Sequence, residues 1–229
     1  MTEAVAPRDV IRAAGDWVGK QLAPEGFRWL RSQLRFRRQA DGLIYEIELQ
    51  PSRYNRRDEW ISCQSVVLVR DPALQRWRRA NPDRTISDSD YLCGTGLGYA
   101  SGRANGFRYG EYSDGELDLT DPALREENLK EWLANVRTGV LPFFSEVADP
   151  DTIVTSRAAE ICGRPDAIEE WLIFRARADL VPAFADFVLS AYPQWRKGFD
   201  EGQAMAATDE LPSPTSSAPC LGWVLAVNQ

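Results

Sequence analysis

Chemistry in this chain must come from carboxylates, thiols, tyrosines and arginines, because no histidine occurs among its 229 residues. Lysine occurs only as Lys20, Lys130 and Lys197. That composition removes any Ser-His-Asp or Cys-His arrangement, an imidazole proton shuttle and His-ligated zinc. Two constellations remain. In the first, arginine is interleaved with aromatic residues: Arg53, Tyr54, Arg56 and Arg57, then Arg76, Trp77, Arg78 and Arg79. Rings on which bases stack, beside guanidinium groups that hold phosphate, are what single-stranded nucleic acid requires. The structural alternative makes Trp77 a core anchor and the arginines its solvated flanks. In the second, Asp114, Glu116 and Asp118 could hold Mg²⁺ or Ca²⁺ through oxygen ligands, as in a carboxylate-metal hydrolase. Their spacing is not that of an EF-hand, no lysine lies close in sequence, and edge-strand solubility explains the same charges.

Cys63, Cys93, Cys162 and Cys220 lie far apart with no CxxC pair, which favours reduced, buried thiols over disulfides or a metal site. Cys93-Gly94-Thr95-Gly96-Leu97-Gly98 is not read as a phosphate loop. It lacks a terminal Gly-Lys-Ser/Thr, and residues 99–106 have loop-forming composition where a helix should follow. A mobile surface loop between strands is expected there. No cofactor motif is found.

No charged-then-apolar leader and no membrane-spanning apolar run is present, so the sequence reads as cytoplasmic with no membrane partner. Net charge is −7, unevenly spread. Residues 1–108 hold 18 Lys+Arg against 13 Asp+Glu, and residues 109–229 hold 9 against 21. Such asymmetry marks either a nucleic-acid surface or two parts that attract one another.

The elements follow from periodicity. Val10, Ala13, Ala14, Trp17, Val18 and Leu22 recur at helical spacing over residues 9–22, and Pro24 and Gly26 stop the helix. Asp41-Gly42 predicts a two-residue type I′ hairpin. That turn sets Ala40 opposite Leu43, Phe36 opposite Ile47 and Leu34 opposite Leu49. On the other face it sets Arg35 against Glu48 and Arg37 against Glu46, with Arg38 beside Tyr45. The five arginines of residues 28–38 then read as an internally paired sheet face more readily than as a phosphate stripe. A further strand is expected over residues 60–70, and Asp71-Pro72 should cap a short helix. Leu117 and Leu119 should point inward.

The acidic half should be helical. Asp121-Pro122 opens a helix carrying Leu124, Leu129, Trp132, Leu133, Val136 and Val140, which Gly139 and Pro142 should break or kink. Shorter helices follow from Asp149 or Asp151, Pro165, Asp179 and Pro193. The fold class is α+β: an antiparallel sheet in residues 27–119, an N-terminal helix, and a helical layer in residues 121–207. Residues 1–207 are expected as a single domain. Residues 208–229, Pro- and Ser-rich and then apolar, read as a flexible tail. Docking of Trp223 and Val224 on the body, or strand addition to a partner, are the sharper alternatives.

Several segments together resemble the uncharacterised bacterial family termed domain of unknown function 4304. They are Gly26-Phe27-Arg28 leading to Phe36-Arg37-Arg38, the run Ile44-Tyr45-Glu46-Ile47-Glu48-Leu49-Gln50-Pro51-Ser52-Arg53-Tyr54-Asn55, and Val140-Leu141-Pro142-Phe143-Phe144 with Asp149-Pro150-Asp151. The resemblance spans about residues 8–205. It implies that the proline kinks a continuing helix, and it carries no activity and no catalytic residue. By analogy with compact α+β families of this kind, it suggests an accessory or immunity-like binder. The expected function is a non-catalytic protein-binding module of unknown partner, with single-stranded nucleic-acid binding and metal-dependent hydrolysis as alternatives.

Overall fold

The computed structural model describes residues 5–57, 59–102 and 116–228. The architecture is α+β, with an antiparallel sheet in the N-terminal half, an N-terminal helix and C-terminal helices. Among the described residues six strands form the sheet: β1 (Arg28–Leu30), β2 (Arg35–Ala40), β3 (Leu43–Pro51), β4 (Ser62–Arg70), β5 (Tyr91–Gly96) and β6 (Glu116–Asp118). Their order is β1-β2-β3-β4-β5, with β6 also paired to β4. No helix among the described residues is long and apolar enough to cross a membrane. The chain divides into two compact units, where a single domain over residues 1–207 is expected from the sequence.

The first unit comprises Met1–Leu68 and Thr95–Phe144. Its hairpin forms in the expected register, with Ala40 opposite Leu43, Phe36 opposite Ile47 and Arg37 opposite Glu46. Asp41 and Gly42 take φ of 52° and 82°, the left-handed pair that a type I′ turn demands. Arg35 and Arg37 both reach the Glu46 carboxylate, at 2.9 and 2.7 Å, and Arg35 also bonds Glu48 at 2.8 Å. Glu46 is fully buried, so the paired face is drier than its sequence implies.

The opposite face carries the core. Phe36 lies between Trp29, 4.5 Å away by ring centroid, and Trp132 at 5.9 Å, whose Nε1 donates to Ser65 Oγ at 2.9 Å. The Arg38 guanidinium sits over Tyr45 and Phe27, packing its stem as the register predicts. The N-terminal helix runs Pro7–Leu22 and turns Ile11, Gly15, Val18 and Leu22 inward. Ala13 is exposed and Trp17 half-buried, so the buried stripe is rotated from the one read off the sequence.

The helix expected from Asp121 begins later, at Arg125, because Asp121 instead closes a turn by accepting from Ala123 N–H. It continues through a π-helical turn, Val136–Val140, into the helix Leu141–Ala148, passing Pro142 without ending. A π turn shifts the hydrogen-bond ladder by one residue, which lets a helix accommodate a residue that has no N–H.

The second unit comprises Val69–Gly94 and Ser145–Gln229. Its helices are Pro72–Ala80, Pro150–Ile153, Arg157–Ile161, Pro165–Phe174, Val181–Ala191, Arg196–Ala206 and Ser217–Val227. Asp71 caps the first of them, accepting from the N–H groups of Ala73 and Leu74. The C-terminal segment is not a flexible tail. The helix Ser217–Val227 buries Cys220, Leu221, Trp223, Val224 and Leu225. It crosses the helix Arg196–Ala206 at a point where only glycine fits: a Cβ on Gly202 would meet Pro219 O at 2.0 Å, and one on Gly222 would meet Phe199 O at 2.0 Å. Gly202 and Gly222 thus bring the two backbones together, and the apolar run that looks like a tail becomes core. Arg84 Nε donates to Asn228 Oδ1 at 2.7 Å and holds the helix end.

Candidate functional site

The arginine–aromatic residues divide between the two units. Arg53, Tyr54, Arg56 and Arg57 lie in the first, on the loop that joins β3 to β4. That loop is held by its own polar groups. Asn55 matches both backbone groups of Ser62, donating to its carbonyl and accepting from its N–H at 2.8 Å each. Ser52 N–H donates to Ser62 O, and Arg56 pairs with Trp60 in an isolated bridge. Asparagine mimics a backbone turn in this way because its amide presents a donor and an acceptor side by side.

On this support Tyr54 is 63% exposed, and the Arg53 guanidinium lies 4.7 Å from its ring centre and donates to its hydroxyl. Arg56 pairs loosely with Glu59 at 3.6 Å, and Arg57 is exposed. Beside the loop lies an open cleft of about 640 Å³. Ile11, Leu34 and Leu49 form its apolar floor, and Arg8, Gln33, Glu48, Gln50, Ser52 and Asn55 supply polar groups. The cleft can take extended chain or a small polar molecule, but holds no acid–base pair poised over a nucleophile.

Arg76, Trp77, Arg78 and Arg79 belong to the second unit and do not act together. Arg76 and Arg79 are exposed, the latter 3.8 Å from Asp88, and Trp77 packs near Phe174 at 6.2 Å. Arg78 is buried and excluded from any phosphate contact. Its Nε donates to Glu170 Oε2 at 2.5 Å, and its NH1 donates to the carbonyls of Ser89 and Tyr91 at 2.8 and 2.6 Å. Helical spacing explains the difference: Leu74 and Arg78, four residues apart, share the inward face of the helix Pro72–Ala80.

No family model, curated protein or solved structure matches this chain. Its site must therefore be read from geometry alone.

Asp114 of the carboxylate group lies outside the described residues. Glu116 stands opposite Gln64 in the β4–β6 pair, and Asp118 Oδ1 accepts from Thr120 N–H at 2.8 Å. Among the described residues no cluster of three or more His, Cys, Asp or Glu side chains could hold a metal. Leu117 and Leu119 are buried as expected. The glycine segment at Cys93–Gly98 is not the expected surface loop. Cys93, Gly94, Thr95 and Gly96 form part of β5, and a four-residue helix, Leu97–Ala100, follows directly.

Sequence reading missed a second polar group around the helix Pro165–Phe174. Asp166, Glu169 and Glu170 are all fully buried there. Arg164 forks onto Asp166, and Glu170 Oε1 accepts from Ile86 N–H at 2.6 Å. Both carboxylate oxygens of Glu169 lack a hydrogen-bond partner. Burial, reinforced by Asp166 and Glu170, holds the Glu169 carboxyl well above the usual carboxylate range and favours its neutral form. The signal was present in the sequence. Ile168, Trp171, Leu172 and Ile173 cover so much of this helix that an acid within it has no solvent face.

Proposed function

We propose that the chain is a non-catalytic protein-binding module, and that the 52–57 loop with the cleft beside it is its recognition face. One observation carries the reading. Tyr54 is exposed, yet its loop is hydrogen-bonded in place and its ring is stacked by Arg53. Exposed aromatics held on a rigid support bind at low entropic cost, and Tyr and Arg dominate interface hot spots. Arg53, Arg56 and Arg57 favour a partner that presents carboxylates. The resemblance to domain of unknown function 4304 runs through Gln50 to Asn55, and supports an accessory or immunity-like role. None of the four cysteines is in a disulfide, which suits a reducing, cytoplasmic setting.

The exposed stack also suits single-stranded nucleic acid, so the test has two arms. In the first, wild-type chain and the R53A/Y54A variant are used as baits at moderate salt, with circular dichroism to confirm folding. A protein retained by the wild type is identified, and its affinity for the variant should fall about 30-fold, the loss of one hot spot. In the second, fluorescence anisotropy follows an oligothymidylate probe. A protein that binds both baits equally removes the loop from the reading. Tight oligonucleotide binding that collapses with salt, and is lost in the variant, replaces the protein partner with nucleic acid.

A further inference from the structure

The cleft beside the 52–57 loop is lined entirely by the first unit: the start of the N-terminal helix, the turn before β2, and the end of β3 with the residues that follow it. Leu34 and Leu49 close its bottom, and Ala6, Pro7 and Pro51 give it apolar walls. Arg8 stands at the rim, exposed, and makes no ion pair or hydrogen bond with another described residue. Glu48, the carboxylate in the lining, is already held by Arg35 at 2.8 Å. Arg8 is therefore an uncompensated cation among the described residues, one helical turn from Ile11 at the base of the cleft. Free guanidinium donors beside an apolar hollow complement a carboxylate carried next to an apolar group.

The main chain supplies a second element. β2 begins at Arg35, opposite Glu48, where Leu34 takes a φ of 52° and turns the preceding chain away. β3 runs on to Pro51, so among the described residues Gln50 and Pro51 have no strand beside them on the β2 side. An open strand edge accepts an extended chain through main-chain hydrogen bonds. Gln33 and Gln50, both exposed, add amide donors and acceptors at the same place.

We infer that the cleft takes the C-terminus of the partner protein. The last residue places an apolar side chain in the hollow and its α-carboxylate on Arg8, and the residues before it run extended along the end of β3. This rests on the recognition face proposed above and specifies what that face reads. A terminal residue bears its carboxylate and its side chain on one carbon, so a single cation beside a single hollow reads both. An internal Asp or Glu holds its charge at the end of its own side chain and leaves the hollow to a neighbour.

The test uses the full chain and short peptides of mixed upstream sequence, labelled at the N-terminus and ending in Leu, Phe, Asp or Gly. Each is made with a free C-terminal carboxylate and as the C-terminal amide, and binding is followed by fluorescence anisotropy. The Leu and Phe acids should bind about 10- to 100-fold more tightly than their amides, the loss of one charge-assisted pair, and more tightly than the Asp and Gly acids. R8Q should abolish the preference for acid over amide, and R8K should retain much of it. Arg8 is exposed, so both variants should keep the wild-type circular dichroism. Amides that bind as tightly as acids, an R8Q chain that keeps the preference, or no binding by any free-acid peptide would overturn the inference. So would an Asp peptide that binds best whether amidated or not, which makes the ligand an internal acidic segment. N-acetyl-leucine competing as well as the whole peptide would also overturn it, because the end of β3 would then contribute nothing. The loop reading fails on a different observation, equal capture of a partner by the wild type and R53A/Y54A. A chain that holds its partner through the loop but ignores the free carboxylate loses only the cleft assignment.

Discussion

Replacing Arg78 by alanine should cost the second unit most of its stability. The side chain is fully buried, its Nε lies 2.5 Å from Glu170, and its NH1 serves the carbonyls of Ser89 and Tyr91. Removing one member of a buried ion pair typically costs about 3–5 kcal/mol, because the other charge is left unpaired in a dry site. Each orphaned carbonyl adds about 1 kcal/mol. Allowing for non-additivity, R78A should lose about 4–6 kcal/mol, which approaches the whole stability of an ordinary domain. R78K keeps a charge for Glu170 but loses the planar fork, and should fall between the two. The double variant R78M/E170M leaves no stranded charge. It should be more stable than R78A, although the Ile86 N–H and two carbonyls lose their partners. Urea unfolding of the four proteins, followed by tryptophan fluorescence and circular dichroism, measures these differences. If R78A unfolds within about 1 kcal/mol of the wild type, the account of this site is wrong.

Three further outcomes follow from the same geometry. Glu169, raised by burial, contributes stability that is full below about pH 4.5 and is lost as pH rises toward its folded-state value, at up to about 1.4 kcal/mol per pH unit. E169L should remove that slope and be more stable than the wild type by about 1–3 kcal/mol at pH 8, and parallel urea profiles for the two proteins between pH 5 and pH 8 would refute this. G222V places a side chain against Phe199 O and should lower the melting temperature by several degrees, whereas a free tail would leave it unchanged. R38M keeps most of the stem but loses the cation above Tyr45 and Phe27, and should cost about 1 kcal/mol by chemical denaturation, or nothing if the stem alone matters.

The sequence determined whatever depends on near neighbours. Asp41-Gly42 admits one tight turn, and because side chains alternate along a strand, that turn dictated every pair from Ala40–Leu43 back to Arg35–Glu48. Asp71-Pro72 and Asp149-Pro150 open helices for equally local reasons, and the Arg53–Tyr54 loop is legible as a composition.

Tertiary structure decided the rest, because burial is a property of what arrives from elsewhere in the chain. Arg78 is indistinguishable in sequence from Arg76 and Arg79, and only Glu170, 92 positions later, makes it a buried ion-pair partner. The final apolar residues looked like a tail because nothing local says that Gly202 leaves room for a helix to cross. Cys162 is unremarkable until β5 brings the Tyr91 hydroxyl, 71 positions earlier, within 3.8 Å of its sulfur. Local spacing can state which face a residue takes, but not which distant group meets it there, and that meeting sets charge, burial and reactivity.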